Sequence, residues 1–297
     1  MENIINYYYG IKVKRIEDNI IIDSDDNIYY IEKVESPNKN RLSYINDLIK
    51  NTSNHYFFCY RFLLNKYNDI FTLVKDNIYV LIKLDDNYNK EVDLSMMIEF
   101  YNKSMNLINN VTPLNWESLW ENKSNLLHYN ISSNMSSNKQ VAPLFYYYTG
   151  VLENAICYLK DANINDNKNF HLSFNHYRIK YPVKYIDFYN PINFYVDYDN
   201  RDISEYIKTL YYNAGQYKIE LEYFLKVKKL NLYEVKMLFS RMIYPSHFID
   251  LFLSKNAKKN YHIFYETKKY EGFLRNTYNI INKYYKIPGI GWITDLR

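Results

Sequence analysis

Side chains able to move protons or grip cations crowd one stretch of the chain, FHLSFNHYRIKYPVKYIDFYNP at 170–191, with NFYVDYDNRD close behind at 193–202. His171 and His176 carry imidazoles that exchange protons near neutrality. Asp187 and Asp197 offer the hard carboxylate oxygens that Mg²⁺ accepts. Such groups suit transfer of a phosphoryl group to a hydroxyl, which needs a proton acceptor beside the hydroxyl and metal held against the phosphates. Each also has a plainer use. A histidine can brace a loop through hydrogen bonds, and ionisable clusters are often structural. The remaining histidines, His55, His128, His247 and His262, are scattered and form no cluster.

A nucleotide would need a cradle as well. The chain has six glycines, and none of them forms a phosphate loop of the kinase or Walker type, in which closely spaced glycines let backbone N–H groups approach the phosphates. The first hairpin is expected to turn on DSDDN (23–27), whose aspartates would repel phosphate. Lys33 in IYYIEKV is a candidate nucleotide-binding lysine, but strand alternation points Lys33 and Glu32 to opposite faces, so Glu32 could hold that place instead.

Local patterning predicts the strands and helices that carry these residues. Residues 11–34 alternate Ile, Val and Tyr and predict a β-hairpin or meander. Apolar spacing over Asn40–Lys50 predicts a short helix whose one acid is Asp47. Tyr56–Leu64 and Asp69–Leu84 predict three more strands, with a tight turn at Asp76–Asn77. From Val92 the period becomes helical: Leu94–Ile108, Asn115–Tyr129, a polar loop at Ser132–Asn138, and a long helix over Leu144–Leu159. A short β-like run at Val183–Ile186 then ends on Asp187. Helices over Asp202–Tyr212, Tyr217–Lys229, Leu232–Ile243 and Tyr261–Tyr285 complete the chain. The class is α+β: a β-rich N-lobe over 1–85 and a helical C-lobe over 86–297 that contains the 170–191 loop. That order of lobes is the order of the protein kinase fold, which by itself proves no activity.

Composition narrows the classes further. At 297 residues the chain can bury a full core, and a net charge of +4 gives no strong field for nucleic acid or anionic membrane. The basic stretches KNAKKN (255–260) and ETKKYEGFLR (266–275) read as solvated helix faces. Val141–Leu159, the most apolar long stretch, holds Pro143, Gly150, Glu153 and Asn154, so it reads as a buried helix rather than a membrane span. Cys59 and Cys157 suggest neither a metal site nor a disulfide framework. The 36 tyrosines fit an AT-rich codon bias, and their hydroxyls must find partners wherever they are buried. The tyrosine runs Tyr7–Tyr9, Tyr146–Tyr148 and Tyr211–Tyr212 could also be stacking or cross-linking sites.

Four segments carry a family likeness: YYYTGVLENAICYLKD (146–161), FYVDYDNRDISEYIK (194–208), SRMIYPSHF (240–248) and the WESLW helix (116–120). They resemble, in order along nearly the whole chain, the spore coat proteins of the YutH type, relatives of the CotS-type coat proteins and of aminoglycoside phosphotransferases. The resemblance implies a protein kinase-like two-lobed fold and a place in the spore coat. Active members of the wider group have a loop in which His is followed by Gly-Asp and later by Asn. On this chain His171 keeps its place, Leu172 replaces the glycine, Ser173 the base and Arg178 the magnesium-binding Asn. A serine hydroxyl is a poor base at neutral pH, and a guanidinium offers only donors and positive charge. The group's second metal aspartate follows a short strand, a pattern that Asp187 and Asp197 both fit. Arg178 could pair with either one and fill the metal site with fixed charge.

Two functions therefore compete. The first is a non-catalytic, pseudokinase-like scaffold that assembles with other spore coat proteins, made in the cytoplasm and deposited on the coat. It would need no cofactor, bind no nucleic acid and insert in no membrane. The second is an active phosphotransferase using ATP and Mg²⁺ on a small molecule or coat protein. It would draw on Lys33 for the nucleotide and on Asp187 or Asp197 for the metal.

Overall fold

The computed structural model describes residues 1–50, 59–108, 111–134, 142–166, 170–253 and 266–294. The chain divides into two compact units, Met1–Val111 with Leu172–Asp199, and Thr112–His171 with Asn200–Arg297. The β-rich segment expected over 1–85 lies in the first unit, which goes on to include two further helices, one of them a single short turn, and a two-stranded ribbon.

The first unit is built on an antiparallel sheet of β1 (Val13–Glu17), β2 (Ile20–Asp23), β3 (Ile28–Val34), β4 (Arg61–Phe62), β5 (Thr72–Val74) and β6 (Asn77–Lys83), in the order β1-β2-β3-β6-β4 with β5 also on β6. The expected meander is present, but its first turn is Asp18–Asn19, with Asp18 at φ 49°. The DSDDN segment makes the second turn instead. There Asp23 Oδ1 accepts the backbone N–H groups of Asp25 and Asn27, each at 2.9 Å, a side-chain-closed turn that short carboxylates favour. The β5–β6 turn centres on Lys75–Asp76, one residue earlier than expected, with φ 45° and 54°. Two consecutive positive φ values give the turn a twist that matches the strands.

An N-terminal helix that the periodicity did not announce, α1 (Glu2–Tyr9), lays Ile5 against Ile21, Tyr29, Ile31 and Leu81 of the sheet. Gly10 ends α1 in the left-handed region at φ 68°, its N–H on Asn6 O at 2.8 Å. A glycine just past a short amphipathic run was the available signal. Helix α2 (Lys39–Lys50) buries Leu42, Ile45 and Ile49, as its spacing predicts, and leaves Asp47 exposed. Helix α3 (Leu94–Met105) starts on Asp93, whose carboxylate accepts Met96 N–H at 2.9 Å.

The ribbon differs from expectation. Its strands are β7 (Leu172–His176) and β8 (Phe194–Tyr198), paired antiparallel. The run Val183–Ile186 is no strand: Lys184 makes one isolated bridge to Glu91, and Tyr185–Phe188 coils into a short helix. The reason is tertiary. Val183 O accepts Val92 N–H at 2.8 Å and Tyr185 N–H reaches Lys90 O at 2.9 Å, so this segment satisfies its backbone against the approach to α3 rather than along a ladder. This short helix is α6 (Tyr185–Phe188).

The second unit is helical: α4 (Trp116–Asn134), α5 (Ala142–Asn165), α7 (Arg201–Asn213), α8 (Tyr217–Val227), α9 (Leu232–Ile243), α10 (Ser246–Leu253), α11 (Thr267–Tyr284) and α12 (Gly291–Thr294). Helix α4 runs through Asn134, beyond the expected start of a loop at Ser132, because nothing in that polar stretch breaks a helix; residues 135–138 lie outside the described residues. The last long helix begins at Thr267 rather than Tyr261, and 254–265, including KNAKKN, also lie outside them. Lys268 and Lys269 are exposed on α11 beside the buried Tyr270, as a solvated helix face requires.

Helix α5 packs on α4 and α9, and α9 packs on α7. Aromatics fill the core: Trp120 stacks on Tyr244 at 4.5 Å and Tyr148 on Phe248 at 4.4 Å. Buried tyrosines find acceptors, with Tyr158 OH on Pro288 O at 2.9 Å. No helix among the described residues is long and apolar enough to cross a membrane. Cys59 and Cys157 are both free.

Candidate functional site

Within the first unit the end of β3, the start of α2 and the segments around β7 and β8 enclose a cavity of about 520 Å³. Strand β7 delivers His176 to its wall. That imidazole is 3% exposed, stacks on Phe188 at 4.8 Å and meets Phe188 O from Nε2 at 2.8 Å. A carbonyl only accepts, so Nε2 carries the proton. Arg178 follows, its Nη1 donating to Tyr177 O at 3.1 Å and its guanidinium 5.2 Å from the Tyr177 ring. Asp187 lines the cavity from α6, an exposed residue in a helical turn and not the end of a strand, which corrects the pattern that first suggested it.

From β3, Glu32 and Lys33 both line the cavity. Tyr30, two residues before Glu32 and so on the same face, donates its hydroxyl to Glu32 Oε2 at 2.9 Å. Burial foremost, then the charges of Glu32 and Asp187, push the Tyr30 phenol up to about 12, with Asn19 opposing. Lys33 is exposed. Arg41, from α2, completes the wall: its Nη1 donates to Ile192 O at 2.9 Å and Phe194 O at 2.6 Å.

The other candidates are elsewhere. Ser173 and Asp197 are each 0% exposed inside the ribbon and do not line the cavity. Ser173 Oγ accepts from Asn175 Nδ2 at 3.0 Å, and Asp197 Oδ1 accepts Tyr198 N–H at 2.8 Å. His171 belongs to the second unit, where its Nδ1 lies 3.0 Å from Glu234 Oε1. Glu234 is itself the N3 partner in the capping box that Asn231 forms at the start of α9. His171 thus braces a helix start, the structural use open to it from the outset. Of the candidates, the structure groups Lys33, Arg178 and Asp187 around His176, and leaves His171, Ser173 and Asp197 out. Arg41 was missed, since nothing in a basic residue beside Leu42 on an amphipathic helix marks it as special.

The spacing of a histidine with a key residue two places on is met twice, at His171–Ser173 and at His176–Arg178. Only the second pair reaches the cavity. There the place two beyond the histidine holds a guanidinium, which accepts no proton.

Residues 2–284 match the model of a family described as "Spore coat putative kinase YutH". The chain belongs to the YutH spore coat family. The "Endospore coat-associated protein YutH" of Bacillus subtilis (strain 168) is 24% identical over 180 residues, which cover 52% of this chain and 52% of that relative. The chain thus spans about half the length of the curated YutH relative it matches. Among solved structures it is similar to an aminoglycoside phosphotransferase from Alicyclobacillus acidocaldarius subsp. acidocaldarius DSM 446, with a TM-score of 0.66 at 9% identity over 95% of this chain and 96% of that one. It is also similar to the spectinomycin phosphotransferase APH(9)-Ia, with a TM-score of 0.58 at 10% identity over 94% of this chain and 97% of that one. The YutH-family chain therefore has the kinase-like, aminoglycoside phosphotransferase-like fold, and identities this low speak to fold alone.

Proposed function

We propose that this YutH-family chain is a non-catalytic protein of the spore coat, a kinase-like scaffold made in the cytoplasm, that works by binding other coat proteins. One observation carries the reading: in the cavity the position two residues after the buried histidine is Arg178, and Ser173, the other claimant to the base's place, is sealed inside the ribbon. General base catalysis needs a group that can take the acceptor's proton within hydrogen-bond reach. His176 is turned to Phe188 O through the nitrogen that carries its proton.

The residues present also do not fit a magnesium nucleotide. The β1–β2 turn, where a phosphate cradle would be expected, is Asp18–Asn19 with no glycine. Asp187 lines the cavity, whereas Asp197 is 0% exposed inside the ribbon, so the two aspartates do not close on one ion there.

The competing reading is an active phosphotransferase, favoured by the fold and by Asp187 on the cavity wall. The deciding experiment is transfer of labelled γ-phosphate from Mg·ATP by the purified chain to coat extract or to small alcohols, run beside a thermal-shift titration with Mg·ATP. The scaffold reading expects no transfer and no saturable rise in Tm. Transfer that is lost in Asp187→Ala would establish the enzyme.

A further inference from the structure

Arg41 is a half-buried cation that has no counter-ion among the described residues. Its Nη1 is taken by two carbonyls, and its guanidinium carbon lies 4.2 Å from the centroid of the Tyr195 ring. Its Nε is enclosed with no acceptor, and among the described residues no carboxylate comes within ion-pair distance. Carbonyl dipoles and an aromatic face offset part of the cost of taking such a charge from water; a full counter-charge offsets more. Lys33 and Lys180 line the same cavity, and among the described residues neither has an ion-pair partner. Of the carboxylates there, Glu32 already accepts the Tyr30 hydroxyl, while Glu35 and Asp187 are exposed to water.

We infer that this cavity is an oxyanion site, in which Arg41 with Lys33 and Lys180 receives a carboxylate or phosphate group without any metal ion. At about 520 Å³ the space suits a small molecule or one acidic side chain of a partner. A planar guanidinium anchored through one nitrogen is pre-set for such a group, because little side-chain freedom is left to lose on binding. The site deepens the non-catalytic reading and rests on it: it supplies a contact for a partner in place of a catalytic step.

The test is a thermal-shift titration of the full chain in EDTA. The probes are inorganic phosphate, glutarate, and short peptides carrying phosphoserine or glutamate, with sodium chloride at matched ionic strength as the control. A saturable rise of roughly 2–4 °C at about tenfold excess over Kd is expected for at least one oxyanion and not for chloride. A peptide-borne group that binds as well as the free anion marks a partner side chain; the free anion alone marks a small ligand. The Lys33→Gln/Lys180→Gln double variant alters two exposed side chains and should weaken binding roughly tenfold. Lys226→Gln, on α8, should not. Arg41→Gln should abolish binding, and if it fails to fold the lysine variant decides. No shift beyond chloride, or a shift unchanged in the lysine variant, overturns the inference and leaves the non-catalytic reading standing. Phosphoryl transfer from Mg·ATP, a separate readout, overturns that reading instead.

Discussion

Ser173 and Asp197 face each other in register across the β7–β8 ribbon, and each is 0% exposed. Asn175 locks the arrangement, its Nδ2 reaching Ser173 Oγ at 3.0 Å and Asp197 O at 3.2 Å. Restoring an acid at this place should therefore damage the fold rather than build a base. Ser173→Asp would set two buried carboxylates opposite one another. We expect a loss of about 3 kcal/mol or more, read as a lower urea midpoint, with no gain of phosphoryl transfer. A Ser173→Asp chain as stable as the parent would show that the ribbon is more open than its burial implies.

Glu205 and Lys208 form a second buried relationship, one turn apart on α7 and 2.6 Å from each other. Lys208 also donates to Ser246 Oγ at 2.8 Å, and Ser246 in turn donates to Glu205. Lys208→Met strips Glu205 of its cation inside the protein and should cost about 3–5 kcal/mol. Glu205→Gln in the same chain should recover a large part of that, because the stranded charge is gone. Urea denaturation of the two single variants and the double variant closes the cycle. Strict additivity would mean that the pair is not coupled.

Helix α3, which backs the ribbon, depends on its first residue. Asp93 accepts Met96 N–H at 2.9 Å and Ser95 Oγ–H at 2.6 Å. Asp93→Ala should cost about 1 kcal/mol and Asp93→Asn much less, since asparagine caps comparably. Thermal melts of both variants compare them directly, and equal losses would rule out capping as the source.

Stability at high pH should follow the tyrosines. Burial foremost lifts the phenols of Tyr29, Tyr30 and Tyr211 to about 12, from an ordinary value of 10.0. Their folded pKa lies above the unfolded one. The stability they contribute is thus complete below pH 10 and lost as pH climbs toward 12, because the unfolded chain ionises first. Tyrosinate absorbance and far-ultraviolet circular dichroism, followed together, should change in step across that window. A tyrosinate signal that saturates near pH 10 with the fold intact would mean that these phenols are solvated.

Much of the architecture was legible in local pattern. The alternation in Ile28–Val34 and Asn77–Lys83 marks strands, and the spacing of Leu42, Ile45 and Ile49 marks a helix, because side-chain direction repeats with backbone period. Strand β7 was not legible. It puts Ser173, Asn175 and His176 inside, and polar residues go inside only when partners from elsewhere satisfy them. Val183–Ile186 misled for the opposite reason: its apolar residues look like a strand, yet they pack a turn whose backbone partners are Lys90 and Val92. Helix α1 hid because a single side chain, Ile5, is fully buried along it.

The amino-acid sequence by itself determined which chemistries are on offer: no glycine cradle, an arginine and a serine in the loop, two aspartates with room for either to be the metal residue, and a likeness that names the family. Residue type is a local property and needs no neighbours to be read. Which of those residues meet was decided only in three dimensions. Ribbon register turned Ser173 and Asp197 inward, a helical turn set Asp187 on a cavity wall, and capping of α9 drew His171 to Glu234. Side-chain direction and burial come from packing between segments far apart in the chain, and so does the seating of Arg41 against the Tyr195 ring.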